Sequence, residues 1–142
     1  MTIRKLIVVE MMSLDGVIQA PDGAKDVEVG FAQGGWASAF ASDVDQGGMT
    51  ELYRESGAFL FGRITYDIFA SYWPKQGDES SDYARAMNHS PKYVVSTTSK
   101  DKDAMWKGTT IIKRDVAGKL RSSRRSRANT SLSPAVPGWR RR

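Results

Sequence analysis

The hexapeptide Gly62-Arg63-Ile64-Thr65-Tyr66-Asp67, directly behind the apolar run Ala58-Phe59-Leu60-Phe61, constrains this chain more than any other segment. A short apolar run that breaks at glycine and resumes with helical spacing (Tyr66, Phe69, Trp73) reads as a strand–turn–helix unit. Thr65 has the side chain of an N-cap, and Asp67 then falls in the first helical turn. Free backbone N–H groups, the positive end of the helix dipole and the Arg63 guanidinium would converge on one spot suited to a phosphate. Charge-assisted hydrogen bonds contribute about 1.5–3 kcal/mol each, so a few such donors could anchor a nucleotide. A structural alternative stays open here: Thr65 only caps the helix, and Arg63 is a solvated surface charge.

Bulk properties narrow the classes. The 142 residues leave room for one domain. No run of about 18 apolar residues could span a membrane. Leu6-Ile7-Val8-Val9 is too short for a signal sequence and is followed by Glu10. With no cysteine and one histidine, His89, disulfides, thiolate metal sites, histidine clusters and a Ser-His-Asp triad drop out. No metal site is expected, and the location expected is cytoplasmic. His89 reads as part of a surface turn before Pro91. Residues 1–120 hold 14 basic and 16 acidic residues, a net charge of −2, whereas residues 121–142 hold seven arginines and no acid. The basicity belongs to the tail, so an evenly basic nucleic-acid-binding body is not indicated.

Along the chain, residues 3–12 fit a strand buried on both faces. Residues 20–35 read as a long loop. Trp36, Ala39 and Phe40 open a short helix, and a second helix spans residues 43–56. The strand at 58–61 and the helix from Thr65 follow. Residues 74–91 form a polar connector with a short helix at 83–87. Strands are expected at 93–96 and 109–112, and Asp115 caps a helix through Val116 and Leu120. Strands alternating with helices give an α/β sheet with a largely parallel core. From residue 121 the pattern stops, and composition predicts a basic, disordered tail.

In order, Arg4-Lys5-Leu6-Ile7-Val8 with Ser13-Leu14-Asp15-Gly16-Val17-Ile18, then Gly34-Gly35-Trp36, then Gly62 to Pro74, then Pro91-Lys92-Tyr93-Val94-Val95-Ser96 resemble the dihydrofolate reductase-like superfamily. The branch most resembled is the C-terminal reductase domain of the bifunctional riboflavin-biosynthesis deaminase–reductase, and the likeness covers residues 3–120. It implies a three-layer α/β/α sandwich that binds NADPH and reduces a small heterocyclic or sugar-like substrate. By the same resemblance Gly62, Arg63 and Thr65 sit at the cofactor phosphates, and Ser96 and Thr97 sit where relatives hold the adenosine 2′-phosphate. Asp15, Gly16 and Ile18 lie where the first loop passes the nicotinamide. Trp36 and Phe40 border the substrate. Each has a rival reading: a strand end for Ser96 and Thr97, core for Trp36 and Phe40, and a turn residue before Gly16 for Asp15. Asp15 is the one candidate catalytic group.

The resemblance also implies a Gly-rich strand-to-helix turn after the Asp115 helix, holding the cofactor pyrophosphate. This chain has none. Its arginine-rich tail resembles that continuation translated in a shifted frame, so the fold is expected to be truncated after the fourth strand and following helix. Residues 1–120 then form the N-terminal portion of the domain and 121–142 a tail outside the family. The missing strand would leave backbone groups unpaired inside the sheet. Instability and weak or absent NADPH binding are expected in consequence. Functions to weigh are a riboflavin-pathway reductase, a dihydrofolate reductase-type enzyme, an inactive remnant, and a nucleic-acid binder with a basic arm. A homodimer is a further expectation from full-length relatives.

Overall fold

The computed structural model describes residues 5–22, 33–40, 46–77, 80–125 and 131–132. Its element order is α1 (Gln46–Arg54), β1 (Ser56–Gly62), α2 (Arg63–Tyr72), α3 (Asp82–His89), β2 (Lys92–Val95), β3 (Thr109–Ile112), α4 (Val116–Arg125) and β4 (Ser131–Leu132). The strands form one parallel sheet in the order β3-β2-β1-β4. The fold is α/β and dihydrofolate reductase-like, as the motifs imply.

Register explains the core. Phe59 and Phe61 pair with Lys92 and Val94, which pair with Thr109 and Ile111. These residues share one face of the sheet, because alternate strand residues point the same way. Tyr66 and Phe69 of α2 and Trp73 directly after it follow each other at helical spacing and pack on that face, joined by Tyr53, Met87 and Trp106. Phe61 stacks on Trp106 with ring centroids 6.4 Å apart and meets Phe69 edge-on at 5.4 Å. Tyr53 and Tyr83 link α1 to α3 at 4.2 Å. Such aromatic pairs add about 0.5–1.5 kcal/mol beyond the area they bury.

Helix starts follow local chemistry. Ser81 caps α3 by accepting the Ala84 N–H at 3.0 Å. Asp115 caps α4, accepting from the Gly118 N–H at 3.0 Å while its own φ is +48°.

Three expectations are corrected. Residues 5–12 form no strand: Leu6 is 45% exposed and Val8 78%, so this apolar run lacks the sheet neighbours that make such a strand stable. Thr65 is not the N-cap of α2. Gly62 is, in extended conformation (φ −71°, ψ 162°), with Thr65 inside the first turn and Asp67 beyond it. The tail is ordered in part, since α4 runs on to Arg125 and Ser131–Leu132 pair in parallel with β1 at Ser56 and Ala58. Arginine and serine tolerate a helix well enough to extend it, and backbone pairing needs no apolar pattern. The remaining tail residues lie outside the described ones.

Candidate functional site

Parallel register sets the carboxyl ends of the strands side by side. Gly62 pairs with Val95, and Val95 with Ile112. The Ser96 N–H continues this pairing by donating to the Ile112 carbonyl at 3.2 Å. Neighbouring strands are about 4.8 Å apart, so the start of α2 and the Ser96–Thr97 turn are adjacent on one edge. The structure thus brings together Gly62, Arg63, Thr65, Ser96 and Thr97. Open α/β sheets characteristically bind ligands at this edge.

The start of α2 suits an anion. Its N-cap is a glycine with no side chain to accept from the first N–H groups, and no acidic residue stands in the first turn. A Cβ at Gly62 would meet nothing within 4 Å, so the approach is open. Unclaimed first-turn amides and the dipole favour negative charge. This donor set fits the phosphates of a nicotinamide dinucleotide. Arg63 is less directly placed than the sequence suggests. Its Nη1 donates to the Asp67 carboxylate at 2.8 Å, one turn further along α2, and both side chains are about half exposed. An exposed pair of this kind contributes only about 0.2–1 kcal/mol, so a phosphate can compete for the guanidinium.

Ser96 and Thr97 differ in kind. Ser96 is 7% exposed, and its Oγ accepts from the Thr98 N–H (3.3 Å), the Ser99 N–H (3.0 Å) and the Ser99 hydroxyl (2.8 Å). Thr97 is exposed.

The first loop is a tight turn. Ser13 N–H donates to the Val17 carbonyl at 2.9 Å, the Gly16 N–H returns to the Ser13 carbonyl at 3.0 Å, and Gly16 takes φ +90°. Asp15 accepts the Ser13 hydroxyl at 2.5 Å, the behaviour of a turn residue. Ile18 is 52% exposed. The half-buried Trp36 donates its indole N–H to the Gln19 carbonyl at 3.0 Å, which ties its own loop to the first one. Phe40, in a short 3-10 turn (Ser38–Phe40), is 61% exposed and so not core. Among the described residues, no hydrogen bond, ion pair or ring contact joins Asp15, Gly16, Ile18, Trp36 or Phe40 to the Gly62 edge.

Sequence reasoning passed over Lys92, which lies at the opposite end of the sheet. It is fully buried, and its Nζ donates to the carbonyls of Asn88 (2.9 Å), Ser90 (2.9 Å) and Lys107 (3.0 Å). Burial pushes its ammonium down to about 8. The signal was available: alternation in Lys92-Tyr93-Val94-Val95 aims Lys92 and Val94 at one face. Beside it, a cavity of about 470 Å³ is lined by Pro74, Gln76, Asn88, Met105, Trp106 and Lys107, among others. That cavity faces the amino ends of the strands and not the Gly62 edge.

With this geometry established, comparison adds a family. A family model described as the RibD C-terminal domain matches residues 4–130. The match reaches ten residues beyond the 3–120 span of the quoted motifs. The family is a reductase domain associated with riboflavin biosynthesis and generally dependent on a nicotinamide cofactor. No curated protein matches the chain. Among the described residues, no helix is long and apolar enough to cross a membrane.

Proposed function

Because the chain belongs to the RibD C-terminal domain family, we propose that it is an NADPH-dependent reductase of the riboflavin-pathway type. The substrate proposed is 5-amino-6-(5-phosphoribosylamino)uracil, whose ribosyl group is reduced, or a close relative of it. The observation that carries this reading is the uncapped start of α2, set beside the Ser96–Thr97 turn on the carboxyl edge of a parallel sheet. When bound, NADPH supplies the hydride. The chain's part is to hold and orient it. The first-turn amides of α2 and the Arg63 side chain take the phosphates, and the turn after β2 takes the adenosine end. Gly16 and Ile18 border the nicotinamide. Trp36 and Phe40 border the substrate. Asp15, already bonded to Ser13, serves the shape of the first loop.

A second reading is a non-catalytic family member. One observation favours it: in the sequence, Ser131–Leu132 of β4 is followed by Ser133-Pro134-Ala135-Val136, without the glycines of a pyrophosphate-binding turn.

NADPH oxidation with the uracil substrate and with dihydrofolate, measured beside NADPH binding, separates these. Turnover of the first substrate alone supports the riboflavin-type reductase. Turnover of dihydrofolate alone replaces it with a folate reductase. NADPH binding without turnover of either supports the non-catalytic reading.

A further inference from the structure

We infer that the amino end of the sheet holds a built ammonium site, a carbonyl cage whose ligand is a primary ammonium ion and whose tethered occupant is the Lys92 side chain. Three carbonyls converge on Lys92 Nζ, those of Asn88 (2.9 Å), Ser90 (2.9 Å) and Lys107 (3.0 Å). An ammonium carries three N–H donors and no acceptor, so these three oxygens meet its whole capacity. The Trp106 ring lies beside the cage with its centre 4.4 Å from Nζ, and the face of an indole attracts a cation. A flat guanidinium, with its fork of five donors, does not match this set. A quaternary ammonium has no N–H to offer it.

The walls of the cage are held by bonds that do not involve Nζ. Asn88 and Ser90 stand at the carboxyl end of α3, where the last carbonyls lack partners within the helix and the dipole is negative. The Ser90 N–H ties this end back to the Ala86 carbonyl at 3.1 Å, and the Ser90 hydroxyl donates to the Ser56 carbonyl of β1 at 3.3 Å. The Asn88 side chain is fixed between the Gln76 carbonyl (3.1 Å) and the Trp106 indole N–H (3.2 Å). Lys107 is placed by its neighbours on both sides. Trp106 donates its backbone N–H to the Tyr66 hydroxyl at 3.1 Å. Gly108 turns the chain with φ +80°, and its carbonyl accepts the Lys92 backbone N–H at 2.9 Å. A cage assembled in this way keeps its shape when the Lys92 side chain is shortened, and a preorganised site binds with little ordering cost. Asn88, Trp106 and Lys107 also line the cavity of about 470 Å³, which gives a small free ion its way in.

The test removes the tethered occupant and supplies a free one. Lys92→Ala deletes the side chain beyond Cβ, and n-propylammonium carries the same carbons and the same ammonium. Melting of this variant near neutral pH is followed with n-propylammonium chloride, and with n-propanol, tetramethylammonium chloride and potassium chloride at equal concentration. Expected is a saturable rise of about 4 °C with n-propylammonium and not with the other three. The wild-type chain and Lys92→Met, in which the space is filled, should not respond. No rise with n-propylammonium overturns the inference. An equal rise with n-propanol overturns it too, because apolar filling then suffices. An equal rise with tetramethylammonium or potassium does the same, because directed N–H donors are then not needed. Should Lys92→Ala not fold, the wild-type chain decides by NMR of its lysine ammonium groups. The Lys92 protons are expected to exchange with water at least about tenfold more slowly than those of the exposed Lys113. Equal exchange at the two overturns the inference. None of these readouts involves NADPH, so failure here leaves the proposed function standing.

Discussion

The Lys92 ammonium sits 4.4 Å from the centre of the Trp106 ring and donates to the carbonyl of Lys107, the next residue along. This pairing pins the connection between β2 and β3. Trp106 is held from two further sides. Its backbone N–H donates to the Tyr66 hydroxyl at 3.1 Å and its indole N–H to Asn88 at 3.2 Å. The amino end of the sheet is thus a bonded polar network beneath an aromatic core, while the carboxyl edge is left open.

Replacing Lys92 by methionine keeps the bulk and removes three donors. Each buried carbonyl left without a partner costs about 1–3 kcal/mol. Losing a buried charge offsets part of this. Lys92→Met is therefore expected to destabilise the fold by about 2–4 kcal/mol, measured by urea unfolding near neutral pH.

The same residue sets a pH dependence. Burial lowers its pKa from 10.5 to about 8. Between those values the unfolded chain holds a proton that the folded chain has released, so stability rises with pH across this window. Tyr53 and Tyr83 act in the opposite sense. Desolvation raises both phenols, opposed at Tyr53 by the hydrogen bond to Tyr83 and reinforced at Tyr83 by Tyr53. Unfolded phenols ionise near 10 while the buried ones stay neutral, so stability falls above about pH 10. Melting temperature followed across this range should climb above pH 8 and then fall. Lys92→Met should lack the climb and keep the fall.

At α4, Asp115 and Gly118 form a pair that tolerates little change. A Cβ on residue 118 would collide with the Asp115 carboxylate. Gly118→Ala, normally favourable in a helix, is expected to displace the cap and destabilise by about 1 kcal/mol. Asp115→Ala should cost about as much, and the double variant little more than either single one. Thermal or urea unfolding of the three variants checks this.

Asp67 holds Arg63 along α2, away from the helix start. Asp67→Asn should change stability by less than about 0.5 kcal/mol and tighten NADPH binding by releasing the guanidinium. Arg63→Ala should weaken binding and reduce its salt dependence. Calorimetry at two salt concentrations reads both effects.

Much of this was legible in the sequence. The apolar run Ala58-Phe59-Leu60-Phe61 announces a core strand, and Gly62 followed by Tyr66, Phe69 and Trp73 announces the turn and helix. Asp115 could be read as a cap because helix starts are local. What escaped depends on tertiary partners. Leu6 to Val9 have the composition of a buried strand, yet composition cannot say whether a neighbour is present to pair with them. Thr65 has the chemistry of a cap, but the helix begins two residues earlier because Gly62 can serve as well. Ser96 has the chemistry of a ligand contact, and only the fold reveals that Thr98 and Ser99 already occupy its oxygen. Lys92 hid because lysine is rarely buried.

NADPH binding by the 142-residue chain, measured by calorimetry at low and high salt against NADH, tests the central claim most directly. The α2 amides and the Ser96–Thr97 turn together predict saturable binding that prefers NADPH and weakens as salt rises. Without the Gly-rich turn expected after α4, that binding is weak. No heat of binding for either dinucleotide at millimolar concentration, or equal affinity for both without salt dependence, would contradict the account.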